Sequence, residues 1–191
     1  MGDAAEKITY TYAEYLEAEQ KSETKHEWLN GEIFDMAGGT LEHARLGASV
    51  NRCLGIALQG KACGVFNSDL RVKILATGLS TYPDASVACG KAETAADDPN
   101  ALVNPRLIVE VLSDSSEAYD RGEKFAHYRR IPSLQEYVMI SQKAQRIEVY
   151  RRSEGGPWTL YEAGPGESVE LVSLGCRLWV DEIYKNPLLS G

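Results

Sequence analysis

The 191-residue sequence lacks most of the marks by which a chain announces its chemistry. No apolar run approaches the roughly 20 residues that a membrane-spanning helix needs. The opening MGDAAEKITY has no apolar signal-peptide core, so a cytoplasmic protein with no membrane partner is expected. There is no G-x-S-x-G nucleophile elbow, no G-x-x-x-x-G-K-[ST] phosphate loop and no G-x-G-x-x-G dinucleotide turn, and no organic cofactor is expected. The three histidines, His26, His43 and His127, form no closely spaced pair. Cysteine is scarce: Cys53, Cys63, Cys89 and Cys176 lie far apart with no C-x-x-C, which argues against zinc. Without secretion a disulfide framework is not expected either, so all four are read as reduced thiols in or near the core. No helix-turn-helix or other DNA-reading element stands out.

What is present describes an ordinary globular chain, 43% apolar and 25% charged, of a length that suits one domain over 1–191. The formal charge of −8 argues against a general nucleic-acid coat. It is unevenly spread. Residues 121–152 hold eight Lys or Arg and three Asp or Glu, a local +5 that leaves −13 on the remainder. That stretch either offers a polyanion an approach or is a solvated helix and strand face.

Hydrophobic spacing predicts a short amphipathic helix over 11–20 and a strand pair around the tight-turn signal Asn30-Gly31. A helix over 41–60 follows, with Leu46, Val50, Leu54 and Leu58 at spacing four and Thr40 in position to cap it. Residues 64–75 read as extended. The segment 90–105 reads as a long loop that either shapes a substrate's approach or merely connects two strands. LIVEVL spans 107–112, and Asp114 with Glu117 suggests a capped helix running to about Arg130, ended by Pro132. Strands over 136–141, 146–151, 158–162 and 168–172 and a helical turn near Asp181 complete the chain. One central mixed β-sheet flanked by helices, an α/β (α+β) architecture, is the simplest assembly.

Glu110 is the most informative residue. In a strand, Ile108, Glu110 and Leu112 share one face while Leu107, Val109 and Val111 share the other. Both faces are otherwise apolar, so the strand should be covered on both sides. A lone carboxylate there costs several kcal/mol, order of magnitude, unless a metal ion, a buried Lys or Arg, or the mouth of a cleft compensates it. Asp84 follows Pro83, which suits the first position of a strand, so its carboxylate should project from a strand end. If that strand neighbours 107–112, a spacing of about 4.8 Å lets the two acids converge on one cation. Asp120, Lys124 and Tyr128, at i, i+4 and i+8, share one helical face.

The ordered set YPDASV with Asp84, RLIVEVLS with Glu110, DRGEKFAHY with Lys124 and Tyr128, and SLQEYVMI resembles a bacterial family of restriction-endonuclease-like proteins. That family belongs to the PD-(D/E)XK nuclease superfamily and was long known only as a domain of unknown function. HEWLNGEI and His43 resemble its N-terminal pattern, and the likeness runs from about Tyr12 to Tyr184. The resemblance implies a restriction-endonuclease-like core that hydrolyses DNA phosphodiesters with Mg²⁺, for which Mn²⁺ substitutes. Asp84 and Glu110 would hold the metal, and Lys124 would position water or stabilise charge on the phosphorane. The usual lysine two residues after the second acid is here Leu112, a departure that the resemblance answers by moving the lysine to Lys124.

By the same analogy Glu27 is a further metal carboxylate, with Glu32 an alternative to it. Tyr128 and His43 stand near substrate, although His43 could instead cap its helix. A homodimer is expected because duplex cutting needs two sites. Two other readings stay open. One is a catalytically inactive nuclease fold that binds nucleic acid or a partner protein; the other is a nuclease for RNA or branched DNA.

Overall fold

A computed structural model of the chain describes residues 8–36, 38–186 and 188. The first helix, α1 (Tyr12–Lys21), starts with a reciprocal cap. The Thr11 hydroxyl accepts from the Glu14 N–H, and the Glu14 carboxylate accepts from the Thr11 N–H. Strands β1 (His26–Leu29) and β2 (Glu32–Asp35) form the expected hairpin. Asn30 and Gly31 have φ of 51° and 89°, the double positive φ that such a tight turn needs and that Asn-Gly adopts cheaply. Helix α2 (Leu41–Ala57) is capped by Thr40 and buries Leu46, Val50 and Leu54, so the stripe read from spacing is the face that packs.

Strands β3 (Cys63–Asn67), β4 (Arg71–Lys73), β5 (Ser80–Thr81) and β6 (Ala85–Cys89) follow, then β7 (Thr94–Ala95), β8 (Asp98–Leu102) and β9 (Leu107–Leu112). Beyond β9, a helical segment of α3 (Glu117–Tyr119), one π-turn (Asp120–Lys124) and α4 (Phe125–Tyr128) leads to β10 (Glu136–Ser141), β11 (Ile147–Arg152) and β12 (Trp158–Ala163). The chain then forms β13 (Ser168–Leu171), β14 (Cys176–Trp179) and α5 (Val180–Tyr184).

The architecture is mixed α/β, but the strands divide into more than one sheet. One six-stranded sheet has the order β12-β11-β10-β9-β6-β3, with β9 parallel to β10 and antiparallel to β6. A second six-stranded sheet has the order β2-β1-β5-β4-β8-β7, and β13 pairs with β14 alone. The single sheet expected from the sequence is therefore corrected. Residues 90–105 are not a plain loop: β7 and β8 lie within them, and β8 joins β4 in parallel. Short strands of two to five residues leave too brief an alternation to read.

Strand β9 is buried at every position, and its two faces enter different cores. Leu107, Val109 and Val111 pack with α2 and α5, while Ile108 and Leu112 pack with Phe125, Tyr128, Tyr137 and residues of β4 and β8. Among the described residues no helix is long and apolar enough to cross a membrane.

Two further expectations change. Cys63 and Cys89 are direct partners in the β3–β6 register and are joined by a disulfide, with 4.0 Å between their Cα atoms. Their separation along the chain hides this, because a hairpin-like return brings them together. Cys53 and Cys176 are free and half-buried. Asp114 caps nothing: the helix starts at Glu117, and Asp114 instead pairs with Lys143 at 3.0 Å.

Candidate active site

One step beyond the paired register Ala85↔Val109, Asp84 falls opposite Glu110. Asp84 stands at the mouth of β6, where Pro83 has ended the preceding extended run, and its Oδ2 accepts the Val111 N–H at 2.7 Å. That bond ties the first acid to the strand that carries the second. Glu110 lies on the aromatic face of β9, where the Tyr128 hydroxyl donates to its Oε1 at 2.6 Å and Lys124 Nζ approaches the same oxygen to 3.0 Å. Neither contact uses Oε2.

Lys124 is the hub. Its ammonium lies 3.2 Å from Glu27 Oε1 and 3.6 Å from Asp120 Oδ1 in addition to Glu110. Asp120, Lys124 and Tyr128 are all buried, so the shared face read from their spacing is the inward one. The segment reaches this geometry through a π-turn, a widened turn often found at functional sites. Glu27, on β1, has both oxygens engaged: Oε1 by the Thr81 hydroxyl and Lys124, Oε2 by the Tyr119 hydroxyl at 3.1 Å. Glu32 opens β2 opposite Leu29, across the turn from this cluster's β1.

His43 does not cap α2 but lies in its first turn, with Thr40 as the cap. Its Nε2 lies 3.3 Å from Asp84 Oδ2, and that contact raises the imidazole's pKa. Tyr128 is fully buried with its hydroxyl committed to Glu110, a place from which it orients a carboxylate.

The electrostatics are lopsided. Glu27, Glu110 and Asp120 face one ammonium, and the charge of Asp84, with His43 against it, acts on Glu110 and Asp120. Burial pushes the Glu110 carboxyl up to about 8, Lys124 pulls it back, and the charges of Asp120 and Asp84 push it further. Burial raises Asp120 likewise. Burial opposes the charge on Lys124, but the acids around it outweigh that and keep it protonated. The unbalanced negative charge and the hard oxygen donors fit a divalent cation such as Mg²⁺. Among the described residues no group of three or more His, Cys, Asp or Glu is arranged to hold a metal ion. Two carboxylates would suffice only with water and substrate oxygens, as Mg²⁺ keeps several waters.

Many of the basic residues of 121–152 are engaged by partners within the fold or at its surface. Arg121 pairs with Glu117 and Glu148, Lys143 with Asp114 and Glu117, and Arg151 with Glu136. Arg152 donates to the carbonyls of Arg129, Ile131 and Pro132. Much of the local +5 is thus paired, while Arg129 and Arg130 stay exposed. Thr81 and Tyr119, which complete the setting of Glu27, carried no signal in the sequence. Asp120 did, through its helical spacing from Lys124.

Comparison with known proteins places the chain in a family. The family model Uma2, described as "Putative restriction endonuclease", matches residues 12–181. Two proteins of Synechocystis sp. (strain ATCC 27184 / PCC 6803 / Kazusa), both uncharacterized, are similar along most of their length. One, slr1290, is 36% identical over 172 residues, 90% of each chain; the other, sll1609, is 37% identical over 161 residues, 84% of this chain and 90% of that one. The crystal structure of a "putative nuclease belonging to DUF820" from Anabaena variabilis ATCC 29413 superposes with a TM-score of 0.73 at 18% identity. It covers 93% of this chain and 98% of that one, a likeness of fold.

Proposed function

The chain belongs to the Uma2 family of restriction-endonuclease-like proteins, and from that premise we propose that it is a Mg²⁺-dependent deoxyribonuclease. The observation that carries the proposal is the meeting of Asp84 and Glu110 across β6 and β9, beside a buried ammonium and within an excess of negative charge. Asp84 and Glu110 would hold the ion, for which Mn²⁺ substitutes. When bound, it would lower the pKa of a water and polarise the scissile phosphate.

The protein's own groups do the rest. Tyr128 and Lys124 fix Glu110 through Oε1, leaving the orientation of Oε2 settled by the same two contacts. The backbone N–H of Val111 fixes Asp84. Glu27 and Asp120 hold the Lys124 side chain from either side, so its charge stands ready where negative charge grows on the phosphorane. In this reading Glu27, with both oxygens on protein donors, serves as an anchor for Lys124 and not as a metal ligand. Two copies would cut a duplex, and analytical ultracentrifugation should then show a homodimer.

One observation favours the second reading, a nuclease fold that binds without cutting. The Lys124 ammonium already sits among three carboxylates, where it neutralises part of the charge a metal would. Calorimetry with Mn²⁺ on wild type and Asp84→Asn, run beside a cleavage assay on supercoiled DNA, separates the two. Metal binding and nicking that both disappear in the variant support the nuclease. No heat in either protein supports the binding module.

A further inference from the structure

Five contacts join the site to the start of α2 and close on themselves. The Val111 N–H donates to Asp84 Oδ2 at 2.7 Å, and that same oxygen lies 3.3 Å from His43 Nε2. The His43 backbone N–H donates to Thr40 Oγ1 at 3.1 Å. The Thr40 hydroxyl donates to Gln142 Oε1 at 2.8 Å, and Gln142 Nε2 donates to the Leu112 carbonyl at 2.8 Å. Leu112 follows Val111 on β9, so the loop of contacts begins and ends on neighbouring residues of the strand that carries Glu110.

Gln142 is the link that neither the acids nor the family motifs account for. It lies just past β10, at the end that runs parallel to β9 and reaches the site with it. A side-chain amide carries a separate acceptor and donor, so it can accept from Thr40 and donate to a β9 carbonyl at once. Without it, Thr40 still caps α2 through the His43 N–H, but this loop then ties that turn to β9 only through the His43–Asp84 contact itself.

We propose that Gln142 is a positioning residue: by clamping the first turn of α2 to β9 through Thr40, it holds His43 against Asp84 and so sets the geometry of the metal-binding carboxylate. The proposal rests on the nuclease reading only for what Asp84 holds; the clamp itself is a feature of the metal-free protein. Outer partners of this kind typically change metal affinity about 10–100-fold when removed, because they fix the orientation of the ligand they touch.

The test is a double-mutant cycle with Mn²⁺ as the probe. Gln142→Met keeps the shape of the side chain and loses both hydrogen bonds. Its Mn²⁺ affinity, measured by calorimetry, is expected to fall about tenfold or more. Amide hydrogen exchange at residues 41–44 should quicken in the absence of metal. In a His43→Ala background the same substitution should leave affinity within about twofold, since the path to Asp84 is already cut. A merely structural role for Gln142 would lower affinity equally in both backgrounds, and that result overturns the proposal. So does faster exchange at 41–44 with unchanged affinity, a result that leaves the nuclease reading standing. Unchanged exchange overturns the clamp whatever the metal does. A wild-type protein that binds no Mn²⁺ ends both.

Discussion

Replacing Glu110 by glutamine should change how the metal-free protein responds to pH. A carboxyl held at about 8 instead of its ordinary 4.5 is protonated in the folded protein across a window in which the unfolded chain has already released its proton. The folded state binds more protons there, so stability falls as pH rises from about 4.5 to about 8. Full ionisation costs about 5 kcal/mol, and about 3–4 kcal/mol of that is lost between pH 5 and pH 8. Glu110→Gln removes the titrating group while keeping an acceptor for the Tyr128 hydroxyl. Groups remote from Glu110 titrate alike in both proteins and cancel in the difference, whereas Asp120, coupled to Glu110, contributes to it. Urea unfolding at pH 5, 6, 7 and 8 in EDTA should show the variant gaining on wild type by about 3 kcal/mol across the series. Saturating Mn²⁺ should remove most of the decline in wild type. Curves that run parallel within about 0.5 kcal/mol would refute the reasoning, because the carboxyl would then titrate as an exposed one does and the uncompensated charge would not exist.

Four other outcomes follow from the same structure. Mn²⁺ affinity should rise about tenfold per pH unit below pH 8 and level off above it, because the ion displaces one proton from Glu110; isothermal titration in buffers of different ionisation heat would count that proton. Lys124→Met should destabilise the metal-free fold by about 3–5 kcal/mol, the cost of stranding buried acids, and part of the loss should return on adding Mn²⁺, as thermal melts would show. Asp84→Asn should abolish nicking of supercoiled DNA with an unchanged circular dichroism spectrum. Opening the Cys63–Cys89 bridge with dithiothreitol should cost about 3.5 kcal/mol, the loop-closure value for a separation of 26 residues, and a Cys63→Ser variant should melt alike with and without reductant.

The features that sequence made legible were those carried by long or chemically marked segments. The helical stripe of α2, the Asn30-Gly31 hairpin and the two-faced burial of β9 all appear where periodicity or turn chemistry predicts them. That the strand beginning at Asp84 neighbours the one carrying Glu110 was the condition set from the sequence, and β6 does pair with β9. What stayed hidden depends on contacts between segments distant in sequence. The second sheet is assembled from strands too short to alternate. The disulfide follows from a register that spacing along the chain does not reveal. Arg121, Arg151 and Arg152 read as available positive charge until the fold supplies Glu148, Glu136 and three backbone carbonyls to absorb them.

The widened turn at Asp120–Lys124 has a consequence for how this protein can vary. It contributes one residue more than an ordinary helical turn, and the turn widens to absorb it, so that Asp120, Lys124 and Tyr128 still face inward together. Losing one residue, for example Gly122, would narrow the turn and change where Asp120 and Lys124 stand relative to Glu27 and Glu110. Length, as well as residue identity, is therefore under constraint here, and a viable relative should keep the same number of residues between Glu110 and Tyr128 even where the intervening letters differ.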